Sequence, residues 1–166
     1  SITTAFGAGA AQVEATTYTA NGLIATVKDG NNNLTTYEYD GFDRPRKTRF
    51  PSPGTINTSS TTDYVQLTYD AASRVTQRRL RDAQTISYSY DDRHRLTSVN
   101  LPGTADDVTN GYDVMGRQIS SEIPSQALAL AWDMLGRLTS ETGPNGAMSY
   151  RYDLADNLTR VTWPDA

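Results

Sequence analysis

The chain has 166 residues, with nineteen acidic against fifteen basic side chains, a formal net charge of −4 and a hydrophobic content of 37%. That is enough apolar material to fold, while the acidic balance and the lack of a clustered Lys/Arg stripe exclude the electrostatic footprint of a nucleic-acid binder. No apolar run approaches the ~18 residues of a membrane span. With no cysteine there is no disulfide framework, thiol nucleophile or cysteine-based zinc site.

Residues 1–17 lack the basic start and apolar centre of a signal peptide, and are read as an N-terminal segment with room for a strand. From Tyr18 onward the chain repeats. An aromatic followed by aspartate recurs at Tyr39-Asp40, Tyr69-Asp70, Tyr90-Asp91, Tyr112-Asp113, Trp132-Asp133 and Tyr152-Asp153, with a degenerate first copy at Tyr18-Thr19. The seven copies are 21, 30, 21, 22, 20 and 20 residues apart, and such a fixed period marks a repeat architecture.

With the aromatic as position zero, other columns align without having been used to set the register. Position +5 holds Arg44, Arg74, Arg95, Arg117 and Arg137, with Leu23 and Asn157 in the outer copies. Position +6 holds Ile24, Pro45, Val75, Leu96, Gln118, Leu138 and Leu158, and position +12 holds Pro51, Pro102, Pro124, Pro144 and Pro164, with Gly30 and Arg81 in the other copies.

Each unit reads as two short strands. Segments such as Thr85 to Tyr90 and Met148 to Tyr152 alternate large with small or polar residues, the period-two mark of a strand with one packed face. The side chains at −2 and zero (Tyr37 with Tyr39, Tyr88 with Tyr90, Leu130 with Trp132, Tyr150 with Tyr152) then share a face. The following Asp-x-x-Gly-Arg segment, fullest at Asp113 to Arg117 with Gly116 and at Asp133 to Arg137 with Gly136, supplies turn chemistry. Aspartate accepts amides two or three residues on, and glycine tolerates positive φ. The glycine column holds Gly22, Asp43, Ser73, His94 and Asp156 in the other copies. A second strand follows, as at Leu96 to Asn100 and Leu138 to Thr142, and proline closes the unit. Asn31 to Asn33 reads as a loop, and the long step carries a loop insertion at 55–63.

The fold class expected is therefore all-β: residues 18–166 form a single array of seven hairpins, about 14 strands ~4.8 Å apart, or roughly 65 Å of twisted antiparallel sheet. A sheet so wide curls or spirals. The inventory of ten Tyr and two Trp against three Phe suits flat rings on a half-exposed pleated surface. The pattern begins and stops mid-unit, with Trp163 to Ala166 ending as another hairpin would start. The expectation is a piece of a longer polypeptide, or a subunit whose ends are covered by further copies through edge-strand addition.

Strings such as YDVMGRQIS, WDMLGRLTS, YDDRHRLTSV and YDLADNLTRV resemble the YD-repeat, or Rhs (rearrangement hotspot), family over nearly the whole chain from Tyr18. The resemblance implies a strip of β-hairpins that spirals into a hollow shell. In bacterial Rhs toxins and in the C components of insecticidal toxin complexes that shell encloses a toxin; in teneurins it is part of an adhesion ectodomain. It implies a secreted or cell-surface protein, no cofactor, no enzyme, and an encapsulated toxin domain as a partner. Bacterial members end the shell with an autoproteolytic segment containing Asp-Pro, a dipeptide this chain lacks.

Against this structural reading stand few candidates for chemistry. The aspartate row invites a cation or general-acid reading, but its regular spacing beside arginine favours turn formation and pairing. His94, the one histidine, sits in the glycine column and reads as a structural turn residue, and Asp106-Asp107, in the connection after Pro102, reads as solvated loop. Tyr37, Tyr88 and Tyr150 are the candidates for stacking on a glycan, the reading alternative to a non-catalytic wall.

Overall fold

A computed structural model describes residues 2–4, 12–103 and 106–164. Those residues form strands and turns and no helix. The contacts group into two units, Ser1–Ile86 and Ser87–Ala166.

The first unit contains β1 (Ile2–Thr4), β2 (Gln12–Tyr18), β3 (Ile24–Lys28), β4 (Leu34–Tyr39), β5 (Pro45–Pro51), β6 (Ser59–Tyr69) and β7 (Val75–Arg79). The boundary falls inside β8 (Thr85–Tyr90). The second unit continues with β9 (Leu96–Asn100), β10 (Val108–Tyr112), β11 (Gln118–Ile123), β12 (Gln126–Trp132), β13 (Leu138–Gly143), β14 (Gly146–Tyr152) and β15 (Leu158–Thr162). Strands are neighbours in chain order, and the pairs formed by the described residues are antiparallel. The sheet is thus built from consecutive hairpins, and residues 2–4 and 12–17 supply β1 and most of β2, so that the described residues hold fifteen strands where fourteen were expected.

One local device recurs seven times. In every hairpin the register shifts between positions −1 and zero, at Thr17/Tyr18, Glu38/Tyr39, Thr68/Tyr69, Ser89/Tyr90, Gly111/Tyr112, Ala131/Trp132 and Arg151/Tyr152. This bulge pairs the aromatic with position +6 and follows from the turn. Residue +4 has positive φ in every copy: Gly22 (79°), Asp43 (60°), Ser73 (63°), His94 (64°), Gly116 (92°), Gly136 (84°) and Asp156 (64°). A left-handed residue ending a type I turn is the geometry that joins strands through such a bulge. The same backbone appears at the other ends of hairpins, in Asp29 to Asn33 and Leu80 to Gln84, where Asn32 and Ala83 have φ of 62° and 71°.

The insertion after β5 is shorter as a loop than the 55–63 read from sequence. Turns occupy residues 52–58, and 59–63 already belong to β6. The segment Ser59 to Asp63 is rich in Ser and Thr, and Thr favours the extended backbone; Ser59 pairs with Pro51.

Strand faces are unequal. In β12, Leu128, Leu130 and Trp132 are half-buried while Ala127, Ala129 and Ala131 are exposed. Among the described residues no hydrophobic side chain is fully buried; Ser60 is the buried one, its hydroxyl accepting the Thr62 and Asp63 amides. Cohesion comes from half-covered rings and the polar groups that clamp them.

Candidate functional site

The recurring aspartate is consumed within its own turn. Asp133 Oδ1 accepts the backbone amides of Leu135 (2.9 Å) and Arg137 (3.0 Å), and Oδ2 accepts Arg137 Nε at 2.7 Å. The accepted amides lie two and four residues on, where sequence reading placed them two or three on. Asp40, Asp70 and Asp91 repeat this set with Arg44, Arg74 and Arg95, and Asp113 takes the amide and Nε of Arg117.

These bonds hold the carboxyls below the usual aspartate range. At Asp40 the side-chain bond from Arg44 dominates, and at Asp70, Asp91 and Asp133 the backbone amide of the paired arginine does. At Asp113 desolvation pushes upward and is outweighed by the Arg117 amide and guanidinium. Where arginine is absent, Asn157 substitutes, its Nδ2 reaching Asp153 Oδ2 at 3.0 Å, and lowers that carboxyl chiefly through this bond. Asn33 does the same for Asp29 in a turn at the other end of a hairpin.

Four of these arginines also reach the next repeat, Arg44 through Ser73 Oγ at 2.8 Å and three through backbone. Arg117 Nη1 donates to the Asp133 carbonyl (2.7 Å), Arg95 to that of Asp113 (3.2 Å) and Arg137 to that of Asp153 (3.2 Å). The same guanidiniums lie over the next aromatic: Arg44 over Tyr69 at 4.3 Å, Arg95 over Tyr112 at 4.5 Å, Arg117 over Trp132 at 5.8 Å and Arg137 over Tyr152 at 4.8 Å from the ring centre. The aromatic completes the clamp by donating backward to the +6 carbonyl of the preceding repeat, as Tyr39 to Ile24, Tyr69 to Pro45, Tyr112 to Leu96, Trp132 to Gln118 and Tyr152 to Leu138. The sequence aligned these columns but gave no sign that arginine spans two repeats, because an Asp and Arg four residues apart look self-sufficient.

The remaining candidates are dispersed. Tyr37, Tyr88 and Tyr150 are half-buried; Tyr150 donates to Glu141 at 3.4 Å, and Tyr37 lines an open cleft of about 480 Å³ with Asn21, Tyr39 and Asp43. His94 takes the left-handed turn position. Asp107 Oδ1 accepts the Leu101 amide at 2.8 Å, tying off its loop. Among the described residues no group of three or more His, Cys, Asp or Glu is placed to hold a metal.

The fold and the clamp define antiparallel, self-similar β-hairpins in which an aromatic, an aspartate and an arginine staple neighbouring repeats. The RHS Repeat family model matches residues 18–52, 69–106 and 132–165, and the chain belongs to this family. The fold is similar to that of a crystal structure of TcdB2-TccC3 with Cdc42 and one of TcdB2-TccC3, both at TM-score 0.70 and 20% identity. It is also similar to a Tc holotoxin pore from Photorhabdus luminescens, at TM-score 0.69 and 20% identity. In all three the match covers 89% of this chain and 9% of the other. No curated protein matches the chain.

Proposed function

We propose that this chain is a non-catalytic wall segment of a longer, secreted Rhs-repeat protein, in which hairpins add side by side to enclose or scaffold another polypeptide such as a toxin domain. The observation that carries the reading is the occupancy of the signature residues. In the repeats of Arg117 and Arg137 aspartate and arginine spend their hydrogen bonds on the turn and on the next repeat, and the aromatics that follow, Trp132 and Tyr152, lie under the same guanidiniums. Residues so engaged transmit register along a sheet. A catalytic acid or a sugar platform instead needs a free carboxylate or an open ring face. One solved structure with this fold is described as a Tc holotoxin pore, which favours a toxin as the enclosed partner.

The test is imaging of the longer gene product together with limited proteolysis. A hollow particle is expected, whose enclosed domain resists protease until the wall is weakened by Arg117→Ser with Arg137→Ser. An interior cleaved equally fast in both proteins would overturn the wall reading.

A further inference from the structure

We propose that the cleft between the turns at residues 19–23 and 40–44, lined by Tyr39 and Asp43, binds the guanidinium of an arginine side chain carried by another polypeptide. The inference is independent of whether the chain encloses a cargo. It follows from one repeat that lacks the cation the others carry.

The later repeats show what this place holds elsewhere. The guanidinium of Arg137 lies 4.8 Å from the ring centre of Tyr152, donates to the Asp153 carbonyl at 3.2 Å and pairs with Asp156 Oδ1 at 2.7 Å. Those three acceptors stand at positions zero, +1 and +4 of the following repeat. Arg44 uses two of the same positions, the Tyr69 ring at 4.3 Å and Ser73 Oγ at 2.8 Å. In the first repeat the donor is gone. Leu23 stands in the arginine column and Thr19 in the aspartate column, so both members of the pair that would aim a guanidinium at the second repeat are replaced. Thr19 Oγ1 accepts the Leu23 amide instead.

The acceptors of the second repeat nevertheless remain, with Tyr39, the Asp40 carbonyl and Asp43 at zero, +1 and +4. Among the described residues no cation lies over the Tyr39 ring and no ion pair includes Asp43. The Asp40 carbonyl accepts the Asp43 amide at 3.1 Å, the turn bond made in every copy. That leaves the second lone pair, which the Asp133 and Asp153 carbonyls give to an arginine. Asp43 is met by Asn21, whose Nδ2 is shared between the two carboxylate oxygens at 2.8 and 3.0 Å. This neutral donor ties the two turns together and leaves the charge uncompensated.

The space an arginine would fill is the open cleft of about 480 Å³ lined by Thr19, Asn21, Tyr37, Tyr39, Asp40 and Asp43. Its size falls within the roughly 300–1,000 Å³ of small-ligand sites. A ring face beside a carbonyl and a carboxylate selects guanidinium over ammonium, because the planar fork stacks on the ring while its edge N–H groups reach both oxygens. In the equivalent places the cation arrives on a side chain whose backbone lies outside, and the open mouth admits an arginine presented in that way.

The test titrates the full chain with a capped Gly-Ser-Arg-Ser-Gly peptide, the same peptide with citrulline for arginine, and methylguanidine, followed by NMR at the Asn21 carboxamide and the Gly41 and Asp43 amides. The arginine peptide is expected to bind in about the millimolar range and to move those signals. Citrulline, which keeps the shape and loses the charge, should bind about tenfold more weakly. Asp43→Asn, a residue type at ease at the φ of 60° found there, should weaken the arginine peptide about tenfold and leave the citrulline peptide as it was. Thr19→Asp with Leu23→Arg rebuilds the internal clamp and should abolish binding. Equal binding of the two peptides, an affinity that survives Asp43→Asn, or signals at Asn21, Gly41 and Asp43 that stay fixed would overturn the cation site. Methylguanidine binding more tightly than the peptide would overturn the polypeptide as its source.

Discussion

The indole Nε1 of Trp132 donates to the carbonyl of Gln118 at 2.8 Å, so the side chain that opens one repeat is anchored on the backbone of the repeat before it. Tyrosine makes the same bond in other copies, Tyr152 to Leu138 at 3.0 Å and Tyr112 to Leu96 at 2.9 Å. The column therefore requires a ring with a donor at its far end, which explains why tryptophan replaces tyrosine there and phenylalanine does not.

Trp132→Phe keeps a ring beneath Arg117 and deletes the donor. The expected cost is about 1 kcal/mol, the net worth of one hydrogen bond, read as a lower midpoint in urea unfolding. Tyr152→Phe should cost about the same. An unchanged midpoint in both would show that the backward bond contributes nothing.

Arg44 and Tyr69 test the forward half of the clamp. The guanidinium lies 4.3 Å from the ring centre and Tyr69 donates to the Pro45 carbonyl at 2.6 Å. A double-mutant cycle with Arg44→Met and Tyr69→Leu should return a coupling of about 0.5–1 kcal/mol. Strict additivity would mean that the two repeats are joined by backbone alone.

The turns make a prediction of opposite sign at two sites. Ala83 is held at φ 71°, where Cβ crowds the following carbonyl at about 1–2 kcal/mol per residue. Ala83→Gly should therefore raise the unfolding midpoint by an amount reduced by glycine's entropy in the unfolded chain, to a net gain on the order of 0.5–1 kcal/mol. At Gly136, φ is 84° and a Cβ would meet nothing within 4 Å, so Gly136→Ala should lose stability through backbone conformation alone.

Much of this was legible in the sequence because hairpin chemistry is local. The left-handed residue and the aspartate that organises the turn lie within one short segment, and the columns exposed the first seven times and the second six. What escaped was what depends on the distance between strands. Arg117 needs the Asp133 carbonyl on a neighbouring hairpin, and no spacing within one repeat encodes that reach. The extent of β6 was also hidden, since Ser59 to Asp63 reads as polar loop until Ser59 is seen paired with Pro51. The Arg151–Arg160 opposition is hidden in the columns, because a like-charge pair is visible only once the bulge fixes which residues face each other.

The aspartates set the response to acid. Asp40, Asp70, Asp91, Asp113, Asp133 and Asp153 all have folded-state values below the ordinary 3.8. A lowered folded value means that the native state binds protons less readily than the unfolded chain. The stabilisation is then fully present above the unfolded value and is lost as pH falls through the folded one. The thermal midpoint should thus be insensitive to these groups between about pH 5 and 8 and should fall below about pH 4. Because six turns share the effect, the fall should be steep and should deepen as protonation releases each arginine from its carboxylate. Asp133→Asn removes one titrating group: it should lower the midpoint at neutral pH and lessen the acid-induced drop relative to the parent chain. A variant that shifts the whole profile down in parallel would show that Asp133 acts through shape alone and that its charge does not stabilise the turn.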